Sequence, residues 1–146
     1  MNRNSPQLNC LVANTEITIR FSESDAMGIV WHGNYLKFFE DGREAFGNKY
    51  GINFLDVFAK EKFLTPLVKT TCEYKRPLKY GDKAIVETTF VDTDAAKLIF
   101  SYKIYRSSDN LLSTTGETIQ VFTNEQGELN ITVPAFFSEW KKKWLK

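Results

Sequence analysis

Asp25 and His32 stand close together in Ser22–Tyr35, SESDAMGIVWHGNY, a stretch that also holds Gly28 and Gly33. His32 is the only histidine of the chain. The stretch joins a run that alternates polar and apolar residues to a run of helical period, so the acid falls just before a helix and the histidine at its start. The first N–H groups of a helix have no intrahelical acceptors, and the dipole behind them favours negative charge. A carboxylate facing such donors has the parts of a hydrolase that needs no metal. The donors hold the oxyanion that develops on a carbonyl, an effect of about 3–4 kcal/mol per donor. The acid activates water or attacks the carbonyl itself. A free carboxylate, pKa ~4, is a weak base, so the acyl group must be activated; a thioester fits and a simple amide does not. Gly28 and Gly33 keep the backbone open to a ligand. The plainer alternative is that Ser22, Ser24 or Asp25 forms a turn or cap and that His32 is a structural donor. Any Ser-His-Asp or Cys-His device would have to use His32, and no G-x-S-x-G accompanies it.

Several elements must position these groups. Glu16–Phe21, EITIRF, sets Ile17, Ile19 and Phe21 on one side, the period of a strand. From Gly33 the period changes: Tyr35, Phe38, Phe39, Gly42 and Phe46 form one helical stripe, with Lys37, Asp41, Glu44 and Asn48 opposite. Glycine inside a helix costs about 1 kcal/mol relative to alanine, so Gly42 implies close approach of another backbone, such as a crossing sheet. The helix is expected over 33–50, with Gly51 as its stop and Asn53 capping a short second helix, FLDVFAKE. From Pro66 the chain reads as four strands, PLVKTTCEYKRP, KAIVETTFVDT, KLIFSYKIYRS and LLSTTGETIQVFT, joined by connections of hairpin length and so expected as antiparallel neighbours. AFFSEWKKKWLK then reads as a terminal helix. A sheet of about five strands needs one face covered, and only the aromatic helix offers a matching stripe. The expectation is an α+β layout in which an antiparallel sheet curls around residues 33–50, in one domain over 1–146 with 1–13 as a flexible arm.

The totals narrow the function classes. With 19 basic and 18 acidic side chains the net charge is +1, which lacks the basic excess of a nucleic-acid binder. Cys10 and Cys72 form no C-x-x-C pair or Cys/His cluster and read as reduced thiols, with a Cys10–Cys72 disulfide as the lesser alternative. No metal and no cofactor are expected. The N-terminal residues lack the apolar run of a signal peptide, and no stretch approaches the ~20 apolar residues that cross a bilayer. A cytoplasmic protein without membrane contact is expected. The 12 Phe, 6 Tyr and 3 Trp must fill a core, an interface or a pocket.

FSESDAMGIVWHGNYLKFFEDGRE resembles the signature of the 4-hydroxybenzoyl-CoA thioesterase-like family of hot-dog proteins. FLTPLVKTTCEYKRPLKYGDK is similar to that family's second strand and the Gly-Asp turn after it. The resemblance covers most of residues 15–90. It implies a hot-dog fold, self-association as a homodimer or homotetramer, and hydrolysis of an acyl-CoA thioester at a dimer interface. Asp25 matches the family's catalytic carboxylate. His32 matches the residue whose backbone N–H faces the thioester carbonyl, and in some members its imidazole is also implicated. Gly33 and Tyr35 lie within the motif and are implied to contact substrate. Thr65 and Pro66 match a loop that lines the acyl pocket, usually across the dimer. Phe21 stands where many relatives carry Tyr, which removes a hydroxyl from the site. A hot-dog dehydratase would carry a His-x-Pro-Gly-like signature; His32-Gly33-Asn34 stands here instead.

Coenzyme A needs basic contacts, for which Arg76 is the leading candidate, with Lys75, Lys79, Lys103 and Arg106 beside it; solvated strand ends account for them equally well. Phe38, Phe39, Phe54, Phe58 and Phe63 line an acyl pocket or belong to the core. Trp140–Lys143, WKKK, reads as a solvated helix end, with a membrane or partner contact as the alternative. The expected activity is hydrolysis of a small aromatic or short- to medium-chain acyl-CoA. The alternative is a non-catalytic acyl-CoA or acyl-carrier-protein binding module on the same fold.

Overall fold

The computed structural model describes residues 10–145. Every second residue of the middle strands is dry. β3 (Lys83–Val91) buries Ala84, Val86, Thr88 and Phe90, and β4 (Lys97–Arg106) buries Leu98, Phe100, Tyr102 and Ile104. With β1 (Val12–Thr18), β2 (Leu67–Tyr74) and β5 (Leu111–Thr123) they form an antiparallel sheet in the order β1-β3-β4-β5-β2, to which the two-residue β6 (Leu129–Asn130) adds beside β5. The covering element is α1 (Asn34–Tyr50), followed by α2 (Phe54–Glu61); α3 (Ala135–Trp144) closes one end. This is the α+β hot-dog arrangement of a sheet wrapped around a long helix.

The stripe expected on α1 is buried at Tyr35, Phe38, Phe39, Gly42 and Phe46, and Arg43 and Gly47 widen it. Lys37, Asp41, Glu44 and Asn48 face solvent. Helix and sheet meet through two missing side chains. A Cβ on Gly42 would strike Thr88 Oγ1 and come within 2.9 Å of Val86 Cγ1, both on β3. A Cβ on Gly116 of β5 would enter the ring of Phe39 and come within 2.7 Å of the Thr71 carbonyl oxygen. Phe39 instead stacks on Tyr102, centroids 4.4 Å apart. Gly51 ends α1 at φ 70°, and Asn53 Oδ1 accepts the Leu55 N–H at 3.0 Å to cap α2, both as the sequence predicts.

Three expectations need correction. The first strand runs over Val12–Thr18 rather than Glu16–Phe21. Leu11 and Ala13 are buried, which shortens the expected arm; residues 1–9 of it lie outside those described. The chain leaves β1 because the turn at 79–82 takes over its hydrogen bonds, Ile19 N–H to Asp82 O at 2.8 Å and Gly81 N–H to Ile19 O at 3.1 Å. Phe21 then enters a 3-10 turn, Phe21–Glu23, and is exposed.

The third correction concerns β2 and β3, which are not neighbours. β2 pairs with β5 at the far edge, three strand spacings or about 14 Å from β3. The connection at 75–82 therefore crosses the end of the sheet instead of making a hairpin, and on the way it passes the start of α1. β3, β4 and β5 are hairpin neighbours as expected.

Gly42→Ala gains about 1 kcal/mol of helix propensity but forces apart a packed contact, which costs about 1–3 kcal/mol. Urea denaturation should show a net loss of stability; a gain would mean that β3 yields to the methyl group.

Candidate active site

Asp25 sits at the tip of a miniature hairpin. Ser24 pairs with Val30, and the turn between them closes through Gly28 N–H to Asp25 O at 3.0 Å, with Gly28 at φ 79°. The Asp25 N–H donates to Ile29 O at 2.8 Å, and its Oδ1 accepts the Met27 N–H at 2.8 Å. The turn-forming role is therefore real. It engages one carboxylate oxygen, and Oδ2 has no partner among the described residues.

The hairpin is held from two sides. Val30 N–H donates to Leu78 O at 2.8 Å, and Ile29 bridges Lys79, so the crossing segment after β2 pins one flank. Glu23 pins the other. Its carboxylate is buried, accepts the Arg20 N–H at 2.7 Å and meets Lys37 Nζ at 3.1 Å. Its carbonyl accepts both Trp31 N–H at 2.9 Å and Asn34 Nδ2 at 2.8 Å. A buried acid normally needs such partners; here they tie the hairpin to the first turn of α1.

Among the described residues no side chain caps the N-terminus of α1, which starts after Gly33. The backbone N–H groups of His32 and Gly33 have no hydrogen-bond acceptor among the described residues. The carbonyl of His32 accepts the Tyr74 hydroxyl at 2.8 Å, and that bond fixes the His32–Gly33 peptide plane and hence the direction of the Gly33 N–H. The His32 ring lies against Trp31, centroids 4.9 Å apart.

Asp25, His32, Tyr35 and Arg76 line one cleft of ≈ 320 Å³, with Met27, Ile29, Val30, Tyr74, Lys75 and Pro77. Its wall is mostly apolar and its lip basic. Burial pushes the Tyr35 hydroxyl up, against the opposing pull of the Leu78 N–H. The Tyr74 hydroxyl is pushed up to about 12, by desolvation first and then by the Cys72 thiol beside it. Both tyrosines therefore stay protonated donors at neutral pH. Burial likewise raises the Cys72 thiol; Cys10 and Cys72 are free.

Thr65 and Pro66 are not part of this cleft. Thr65 lines a second one of ≈ 430 Å³, with Arg43, Phe54, Leu67 and Gln120 among its walls. The two clefts lie at opposite ends of β2, whose 8 residues span roughly 25 Å. Of the other basic candidates, Lys75 reaches the lip and Lys79 is in the bridge to Ile29. Arg106 is paired with Asp109, and Lys103 lies on the exposed side of β4. Phe38 and Phe39 are core, Phe54 lines the second cleft, Phe58 is exposed, and Phe63 packs on Phe122 and Phe136. At the terminal helix Trp140 is buried and Lys141 is paired with Asp92. Among the described residues no helix is long and apolar enough to cross a membrane.

This arrangement of turn, uncapped helix and wrapping sheet has counterparts in known proteins. The family model described as the thioesterase-like superfamily matches residues 19–141. The chain belongs to the thioesterase-like superfamily. The thioesterase is 33% identical over 135 residues to YneP of Bacillus subtilis (strain 168), which is provisionally named an acyl-CoA thioesterase; the match covers 92% of this chain and 96% of that one. It is 25% identical to the 1,4-dihydroxy-2-naphthoyl-CoA hydrolase of Rippkaea orientalis, over 86% of this chain and 91% of that one. The crystal structure of a DHNA-CoA thioesterase from Staphylococcus aureus superposes with a TM-score of 0.81 at 28% identity, covering 90% of this chain and 87% of that one.

Sequence reasoning missed Glu23 and Tyr74 as supports of the site. A buried acid offers no local signal, and Tyr74 reaches His32 from another element. Glu23→Ala should destabilise the thioesterase by about 1–3 kcal/mol, because it strands buried hydrogen-bonding groups, while Glu23→Gln keeps an acceptor for Arg20 N–H and should lose less. Equal stability of all three proteins in denaturant titrations would remove the brace.

Proposed function

We propose that this thioesterase hydrolyses the thioester of a small aromatic or short- to medium-chain acyl-CoA, with Asp25 as the catalytic carboxylate and the N–H groups of His32 and Gly33 as oxyanion donors. The observation that carries the reading is that an acid with one free oxygen lines the same cleft as His32, whose backbone N–H, like that of the adjoining Gly33, has no acceptor among the described residues. The scissile carbonyl oxygen takes the amides, and the carbonyl carbon faces Asp25 Oδ2. Asp25 either removes a proton from an attacking water or attacks the carbon itself and is freed by water in a second step. The C–S bond breaks and the proton passes to the departing thiolate. Lys75 and Arg76 at the lip suit the phosphates of coenzyme A, and the apolar wall suits its pantetheine arm.

The cleft also has to hold the pantetheine arm, and the edge of the sheet supplies further room for the acyl group. Among the described residues β2 has one side unpaired and exposes Leu67, Val68 and Tyr74; such an edge invites pairing. A second copy joined to it antiparallel about a two-fold axis sets the Leu67 end of one β2 beside the Tyr74 end of the other. The Thr65 cleft of one chain then adjoins the Asp25 cleft of its partner, which gives Thr65 and Pro66 their acyl-binding role and makes the homodimer the working unit.

Thiol release from benzoyl-CoA, hexanoyl-CoA and palmitoyl-CoA tests the activity. Asp25→Asn should fold normally and lower kcat by at least ~100-fold, the range for loss of a general base, and His32→Ala should lose less if its backbone alone acts. Near-wild-type turnover by Asp25→Asn would overturn the mechanism, and binding without thiol release by the wild type would favour a non-catalytic acyl-CoA module. Sedimentation equilibrium tests the assembly: the wild type should be a dimer or tetramer, and Val68→Asp should yield monomer and lose activity with it. An active monomer would refute the shared site.

A further inference from the structure

The two amides assigned to the oxyanion belong to two peptide planes that are held by different means. The Trp31–His32 plane presents the His32 N–H, and its carbonyl accepts the Asn34 N–H at 2.9 Å, a bond internal to the start of the helix. The His32–Gly33 plane presents the Gly33 N–H, and its carbonyl accepts the Tyr74 hydroxyl at 2.8 Å. That second bond comes from another element. Tyr74 ends β2 in register with Thr114 of β5, so the sheet sets where its ring lies. The ring meets that of the buried Tyr35 edge to face, centroids 5.2 Å apart, and Tyr35 belongs to the first turn of α1. Strand and helix together therefore place the phenol against the helix start. On the Gly33 side of the plane there is little freedom, because a Cβ on Gly33 would strike the Trp31 ring.

The phenol acts on that plane in two ways. A hydroxyl fixed on the carbonyl restrains a rigid unit, and with it the N–H on the opposite edge. Accepting a hydrogen bond also draws electron density toward the carbonyl oxygen, which makes the N–H of the same peptide a stronger donor. Both effects count most when negative charge develops on a bound oxygen, and neither needs Tyr74 to touch the substrate. The phenol keeps its proton throughout, pushed up to about 12 by desolvation first, so it always has a hydrogen to donate and takes no part as an acid or base at neutral pH. We infer that Tyr74 is a positioning residue for the oxyanion donor at Gly33: its hydroxyl, acting through the His32 carbonyl, aims and strengthens the N–H that receives the developing charge. The inference rests on the reading in which the thioester carbonyl takes the amides at the helix start.

Tyr74→Phe keeps the ring against Tyr35 and removes only the hydroxyl. In thiol release from whichever of benzoyl-CoA, hexanoyl-CoA and palmitoyl-CoA the wild type turns over best, it should lower kcat ~10-fold, less than the about 10²–10³-fold for outright loss of an oxyanion donor, with KM changed by no more than ~2-fold. Its urea denaturation should match that of the wild type. Tyr74→fluorotyrosine, a stronger hydrogen-bond donor of nearly the same shape, should return kcat to the wild-type level or above. A second readout does not depend on turnover. In the Asp25→Asn protein, isotope-edited infrared difference spectra should show the bound thioester carbonyl at a lower stretching frequency than in the free ligand, and adding Tyr74→Phe should cut that displacement by at least ~10–30%, the share that a polarising bond adds. An unchanged kcat with an unchanged displacement would overturn the inference. So would a loss that falls on KM or on stability instead, which is the mark of a structural contact. No displacement in the Asp25→Asn protein would remove the amides and Tyr74 together. The role of Asp25 fails separately: if Asp25→Asn keeps its turnover while Tyr74→Phe loses kcat and carbonyl displacement, Asp25 is removed and Tyr74 stays. If Asp25→Asn is inactive and Tyr74→Phe behaves as wild type, the reverse holds.

Discussion

The close seating of α1 on the sheet is the constraint from which the rest follows. Gly42 admits β3 and Gly116 admits Phe39, so helix and sheet touch with almost nothing between them. That approach fixes where the helix begins as firmly as where its middle lies. It has a local penalty: Thr88 Oγ1, pressed against Gly42, is buried without a hydrogen-bond partner among the described residues. The aromatic stripe offsets this by filling the hollow of the sheet, with Phe46 reaching Phe90, Phe100 and Trp140.

Given a fixed helix, the site is assembled by segments that are not themselves regular structure. The connection after β2 crosses the sheet end and hydrogen-bonds Val30, and Glu23 joins the turn to the first residues of α1. Tyr74 adds a third tie from β2, through the His32 carbonyl. The loop that carries Asp25 is thus held from three directions, while the His32 and Gly33 amides have no acceptor among the described residues. Rigid support around unsatisfied donors is the arrangement that electrostatic catalysis requires, because the donors then need no reorganisation when charge develops.

The sequence revealed most of what is local. The helical stripe, the Gly51 stop, the Asn53 cap and the strands β3 and β4 each follow from patterns within a few residues, and all stand where the sequence places them. Asp25, His32, Tyr35 and Arg76 were drawn from a short motif and a basic strand end, and they line one cleft. What was illegible depends on pairing across distance. Turn chemistry at Gly81–Asp82 is real, yet it closes onto Ile19 rather than joining β2 to β3, because strand order is set by which faces can be buried together. Glu23 looked like any surface acid, since charged residues are seldom buried. Thr65 and Pro66 are expected to line the acyl pocket across a dimer, and within one chain they lie at the other end of β2 from the Asp25 cleft.

The partner of β2 also dictates the order in which the nascent chain can mature. β2 reaches its one strand partner among the described residues when β5 has been made, and the Tyr50 carbonyl that ends α1 receives the Trp140 indole N–H later still, at 2.7 Å. Chains emerge at roughly 5–20 residues per second, so an aromatic helix and a bare strand remain uncovered for seconds on the ribosome. Completion of the fold therefore waits for the β5 and α3 segments, which come after every residue that lines the Asp25 cleft.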